Sequence, residues 1–132
     1  MELGVTSGVL ATLIEEAARA HPAECCGLLL GGADGAVGQA QAAANVHPDP
    51  LTHFEIDPAA LIAAHRAARA GGPRLLGYYH SHPNGHPRPS ATDCEHAGGD
   101  GAVWAIVAAG VVSFWRDDKS GFEPLSYRLI EG

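Results

Sequence analysis

The sequence predicts an α+β fold: a mixed three-layer domain with helices flanking one central, mostly antiparallel sheet. Three observations predict it. The first twenty residues carry a helical period, short apolar runs closed by glycine follow, and the elements run in the order α, β, β, α, β, short helix, β, β, β. At 132 residues the chain is most simply one domain, 1–132, large enough to bury a core.

The first helix is expected over Val5–Ala20. Val5, Val9, Leu13 and Ala17 recur every four residues, with Leu10 and Ile14 beside them and Glu15, Glu16 and Arg19 toward solvent. Thr6 or Ser7 caps it, and His21-Pro22 ends it, because a residue before proline is pushed out of the helical region. The run 24-ECCGLLLGG-32 reads as a buried strand leaving into a turn. Residues 36–46 form a weaker strand, 47–53 a loop, and 53–56 a brief strand. Asp57-Pro58 opens the second helix with an N-cap and a proline at the first helical position. It runs to about Ala70, with Leu61, Ile62, His65 and Ala68 facing inward, and stops at Gly71-Gly72-Pro73. Residues 74–82 are the next strand, Ser90–His96 a short helix, 102–109 and 111–116 a hairpin, and 122–130 a final strand.

Composition excludes some functions. Eight Lys and Arg stand against fifteen Asp and Glu, a formal net charge of −7, with no basic cluster to release counterions from a phosphate backbone. No nucleic-acid partner is expected. Cys25, Cys26 and Cys94 are odd in number and two are adjacent, which makes a poor disulfide framework, and no C-x-x-C is present. All three read as buried thiols. The first residues lack the basic start of a secretory signal, and no run of eighteen apolar residues exists. Neither membrane association nor export is expected, and the default compartment is the cytoplasm.

The chemistry concentrates in 78-YYHSHPNGHPRPSATD-93. On a strand, His80 and His82 project to the same face with Cα atoms roughly 6.5 Å apart, close enough for two imidazoles to share one ion. After a loop stiffened by Pro87 and Pro89, Asp93 supplies a carboxylate as third ligand. Three protein ligands with a fourth position left for water form the catalytic type of zinc arrangement. Taken alone, His-x-His reads as two ordinary loop histidines, and Ser90-Ala-Thr-Asp93 as a helix N-cap. Together, at this spacing and from this chain's His, Ser and Asp content, they have a chance expectation of about one in a thousand.

These residues resemble the JAMM (MPN+) metalloproteases, whose signature H-x-H-P-x6-S-x2-D is matched by His80, His82, Pro83, Ser90 and Asp93. The likeness extends to 24-ECCGLLLG-31, to Asn45 before a proline-rich loop, and to Phe54, Ile56, Asp57 and Pro58 in F-x-I-D-P. It covers about residues 5 to 128 and is greatest to the small prokaryotic single-domain members. The resemblance implies a JAB/MPN domain of cytidine-deaminase-like, three-layer architecture, with one Zn²⁺ per chain held by His80, His82 and Asp93. It implies that Glu24 takes the proton of the attacking water and that Ser90 hydrogen-bonds the developing oxyanion. Glu95 and Glu55 are less suited as base, the first turned away on a helix and the second facing solvent. His86 reads as exposed or facing substrate. His96 reads as a surface residue or a partner of Asp93, and Trp104 and Trp115 as sheet residues without a catalytic role.

The implied activity is hydrolysis of a peptide or isopeptide bond at the C-terminal Gly-Gly tail of a ubiquitin-like or sulfur-carrier protein. The competing class is a noncatalytic MPN-like scaffold, but such members usually lack the ligand residues, and here Glu24, His80, His82, Ser90 and Asp93 are all present. A zinc deaminase requires H-x-E and P-C-x-x-C, and both are missing. Exposed strand edges leave room for a homodimer.

Overall fold

The computed structural model describes residues 2–131; Met1 and Gly132, the outermost residues of the single-domain reading, lie outside them. The elements are β1 (Leu3–Thr6), α1 (Ser7–Ala20), β2 (Cys26–Gly31), β3 (Val37–Ala43), α2 (Pro58–Arg69), β4 (Arg74–Ser81), α3 (Ala91–His96), β5 (Val103–Ala108), β6 (Val111–Asp118), β7 (Gly121–Leu125) and β8 (Tyr127–Ile130). The strands form one sheet in the order β7-β6-β5-β4-β2-β3-β1-β8. Four neighbouring pairs are antiparallel (β2/β3, β2/β4, β5/β6, β6/β7), and three are parallel (β1/β3, β1/β8, β4/β5). The sheet is therefore mixed, antiparallel by a narrow margin.

The continuous apolar run of β2 follows from burial on both faces. Leu29 joins Val5, Val9, Leu13, Tyr79, Ala105 and Phe114 on the side covered by α1. Leu28 and Leu30 point the other way and pack with Cys26, Ile56 and Ala64 under α2. Strand period two imposes this sorting. Close approach explains one glycine: a Cβ at Gly27 would run into the Gln41 carbonyl and the buried Tyr79 ring. The β5–β6 hairpin turns through Ala109 and Gly110, both at positive φ (51° and 76°), as a two-residue primed turn requires.

Several expectations are corrected. Val5 is not in the helix. Residues 3–6 form β1, paired to β3 and β8, and α1 starts at Ser7 behind Thr6, whose hydroxyl accepts from the Val9 N–H at 3.2 Å. Its fit to the helical period is incidental, since a strand residue feeding the same core occupies the neighbouring position. Residues 53–56 form no strand but a single bridge, Asn45 to Ile56. On α2, Ile62 and His65 face solvent, and Ala60, Leu61 and Ala64 form the inward stripe. The final strand is two: Ser126 interrupts it, and β7 and β8 lie on opposite edges of the sheet. Cys94 is exposed, whereas Cys25 and Cys26 are buried, and all three thiols are free. Among the described residues, no helix is long and apolar enough to cross a membrane.

Candidate metal centre

β4 delivers the two histidines. His80 lies within the strand, and His82 follows its end, where its N–H donates to the Val107 carbonyl at 2.8 Å and extends the ladder with β5. Pro83 cannot continue that ladder. The chain turns at Gly85, whose N–H bonds to the His82 carbonyl, and returns to Ser90, the N-cap of α3. Ser90 and Asp93 form a reciprocal capping box: Ser90 Oγ accepts from the Asp93 N–H at 3.0 Å, and Asp93 Oδ2 accepts from the Ser90 N–H at 2.9 Å. The capping and ligand readings of Ser90 to Asp93 are therefore compatible, because the cap itself aims the carboxylate.

Three donor atoms converge. His80 Nε2 lies 3.0 Å from His82 Nε2 and 3.2 Å from Asp93 Oδ2, and His82 Nε2 lies 3.1 Å from the same oxygen. A tetrahedron with ligands about 2.0–2.1 Å from its centre has edges of about 3.3 Å, so this trio matches one face of a zinc polyhedron. Its residues are deeply buried, with His80 at 0%, His82 at 8% and Asp93 at 4% exposure. Imidazole and carboxylate donors are those a divalent transition metal takes. The His82 Nδ1–H donates to the His86 carbonyl at 2.8 Å, which leaves the Nε2 lone pair free for the shared point. Among the described residues, His80 has no such partner at Nδ1. Its ring is held by packing, with Phe54 stacked on it at 4.2 Å and Trp104 edge-on at 5.7 Å.

The electrostatics follow from burial and proximity. Burial lowers the His80 pKa, outweighing the Asp93 carboxylate. Burial also opposes charge on His82, but its hydrogen bonds to Asp93 and the His86 carbonyl prevail and raise it. Asp93 is desolvated too, yet its hydrogen bonds to both histidines hold its carboxyl well below the usual carboxylate range. Glu24, 8% exposed, is pushed up to about 7, first by burial, with His82 pulling down and Asp93 pushing up.

Glu24, Ser90 and Asp93 open onto one cleft of about 350 Å³, walled by Phe54, Tyr78 and Trp104 among others. All five candidate residues thus gather in one region. Glu55 and Glu95 are exposed, and so are the side chains of His86 and His96. Sequence reading gave Trp104 no role beyond the sheet, but it walls the cleft and braces His80. Reading missed the stacking of Phe54 on His80 and the His86 carbonyl; F-x-I-D-P marked the first position, and a backbone acceptor leaves no trace in side-chain identity. A second trio, His47, Asp49 and His53, lies on the adjoining loop. Its His47 Nδ1 accepts from the Asp49 N–H at 2.9 Å, so the neutral ring carries its proton on Nε2. That bond braces the loop and occupies the Nδ1 lone pair of His47.

The chain is 39% identical over 99 residues to the desampylase of Haloferax volcanii, covering 74% of this chain and 71% of that one. It is 49% identical over 53 residues to a Thermus thermophilus protein named "Probable TtuB-protein conjugate cleaving protease", covering 40% and 36% of the two chains. The solution structure of a Desulfitobacterium hafniense protein superposes with a TM-score of 0.85 at 29% identity, over 98% of this chain and 94% of that one. Residues 6–118 match the model of the prokaryotic homologs of the JAB domain, and the chain belongs to that family.

Proposed function

We propose that residues 1–132 act as a single-domain metallopeptidase in which His80, His82 and Asp93 hold one Zn²⁺, Glu24 is the general base and Ser90 binds the oxyanion. The protein is a JAMM-type hydrolase that cleaves conjugates of ubiquitin-like proteins. The observation that carries the reading is the convergence of three buried donor atoms, 3.0–3.2 Å apart, one of which belongs to Asp93 in the wall of the cleft that Glu24 and Ser90 also line. When bound, zinc supplies Lewis acidity, polarising a carbonyl and bringing water into a range where it ionises near neutral pH.

The chain's own residues do the rest. Glu24, with its pKa near 7, accepts the proton of the attacking water as the oxygen bonds to the scissile carbonyl carbon. It returns that proton to the amine nitrogen as the C–N bond breaks. The Ser90 hydroxyl accepts from the Asp93 N–H, so its own proton is free to donate to the developing oxyanion. Phe54, Tyr78 and Trp104 narrow the cleft, which favours an acyl side without side chains, such as a Gly-Gly tail. Two relatives, named as a desampylase and a probable TtuB-protein conjugate cleaving protease, support a protein conjugate as the substrate; the modifier takes the acyl side and a lysine of its target the amine side. The sulfur-carrier tail is the favoured form of that substrate. Three free thiols suit the reducing cytoplasm, and the exposed edges at β7 and β8 suit a homodimer.

A fluorogenic probe in which a Gly-Gly carboxyl terminus is joined to a lysine ε-amine tests the reading. Zinc-loaded protein should cleave it, and chelated protein or Glu24→Gln should not. Equal cleavage by the metal-free protein would sink the mechanism.

A further inference from the structure

The segment between β3 and α2, residues 44–57, straps across the site and grips it at two points. β2 begins at Cys26, so Glu24 lies beyond the named strand and takes its backbone partners from the strap. The Glu24 N–H donates to the Pro50 carbonyl at 2.7 Å, and the Glu24 carbonyl accepts from Asn45 Nδ2 at 3.0 Å. Phe54, on the same strap, lies flat against His80. One segment therefore holds both the backbone of the base and the face of a candidate ligand.

Asn45 closes this strap. Its Nδ2 donates to the carbonyls of Glu24 and His53, each at 3.0 Å, and its Oδ1 accepts from the N–H groups of His47 at 3.1 Å and Glu55 at 3.0 Å. These four bonds use its full capacity of two donors and two acceptor lone pairs. Only a primary amide offers that set on so short a side chain. Asp keeps the acceptors but sets an anion against two carbonyls. The main chain beside it is pinned by Val46 N–H to the Glu55 carbonyl at 2.9 Å and Asp57 N–H to the Ala44 carbonyl at 3.1 Å. The strap is otherwise lightly anchored: Val46, Leu51 and Thr52 are exposed, and Ile56 is the one strap residue in the buried core.

We propose that Asn45 is a positioning residue for the reaction: it ties the strap that carries Pro50 and Phe54 to the Glu24 carbonyl and so sets where the base stands relative to His80, His82 and Asp93. This rests on the reading of Glu24 as general base. Misplacement of a reacting group by about 1 Å costs on the order of a hundredfold in rate.

The test compares zinc-loaded wild type with Asn45→Ala and Asn45→Asp on the Gly-Gly isopeptide probe, with zinc content, KM, kcat and amide exchange measured for each. Both variants should retain their zinc and a KM within about twofold of wild type while kcat falls about 10–100-fold. Exchange of the Glu24 amide should accelerate, and Asp should not rescue Ala. Val112→Ala, in the core on the opposite face, controls for lost stability and should lower Tm without this fall in kcat. An unchanged kcat, a rescue by Asp, or an equal fall in the control overturns the proposal. Cleavage of nothing by the wild type overturns the proposed function instead. Glu24 amide exchange then decides the coupling alone, and exchange as slow in Asn45→Ala as in wild type overturns it.

Discussion

Cys26 of β2 and His80 of β4 are antiparallel register partners, and one rung further the Ser81 N–H bonds to the Cys25 carbonyl at 3.1 Å. Continued by one more residue, that register sets Glu24 opposite His82. Cross-strand partners project from the same face of a sheet. Glu24 and the histidine pair therefore meet through backbone pairing between segments more than fifty residues apart, before any side chain chooses a rotamer.

The first prediction concerns the metal. Zinc added to about 1,000 times its dissociation constant should stabilise the folded chain by about 4 kcal/mol, read as a rise in Tm that chelator reverses. His82→Ala should abolish both the rise and the stoichiometric zinc, because the remaining His80 and Asp93 leave an incomplete set. A full rise in that variant would remove His82 from the centre.

Glu24 makes the stability of the metal-free protein depend on pH. Its folded-state pKa, about 7, lies above the ordinary 4.5, so the folded chain holds that proton more tightly than the unfolded chain. The associated stability is fully present in acid and is lost as pH rises from about 4.5 through 7. Glu24→Gln cannot lose it. The variant should gain on wild type by about 1–3 kcal/mol across that window and by nothing further above it. Denaturant melts at several pH values measure the difference, and a flat difference would show that Glu24 titrates normally.

Ser90→Ala should separate two effects of one hydroxyl. Loss of the N-cap costs about 1 kcal/mol of stability, whereas loss of an oxyanion donor costs about 3–4 kcal/mol in the barrier, a kcat lower by roughly 10²–10³. Asp93 keeps its bond from the Ser90 backbone N–H, so zinc content should hold near one per chain. A fall in kcat only in proportion to lost zinc would assign Ser90 to capping alone.

Among the described residues, Ala109 is the non-glycine residue at positive φ, 51°, on an exposed turn beside Gly110. An alanine there costs about 1–2 kcal/mol, and Asn-Gly is the preferred pair for a type I′ hairpin. Ala109→Asn should therefore raise stability by about 0.5–1 kcal/mol, seen as a higher Tm with activity unchanged. An unchanged or lower Tm would contradict the turn assignment.

Local pattern in the sequence carried much of this molecule. Period two aligned His80 with His82, the capping box aimed Asp93, Asp57-Pro58 opened α2, and paired glycines closed β2. All are decided within a few residues, by pleat, cap and φ preference, and so they are legible without the fold. The tertiary structure alone decided the rest. Val5 follows the helical period yet pairs as a strand, because β3 and β8 offer it a ladder. Residues 121–130 have one composition but serve two edges of the sheet, since which edge accepts a strand depends on distant partners. Glu24 became a candidate base only when the continued register set it opposite His82 and burial raised its pKa. Asn45 gained its role only when a strap brought four backbone groups around one amide. Contacts across long stretches of chain are paid for in loop-closure entropy and rewarded only in the assembled core, so no local pattern records them.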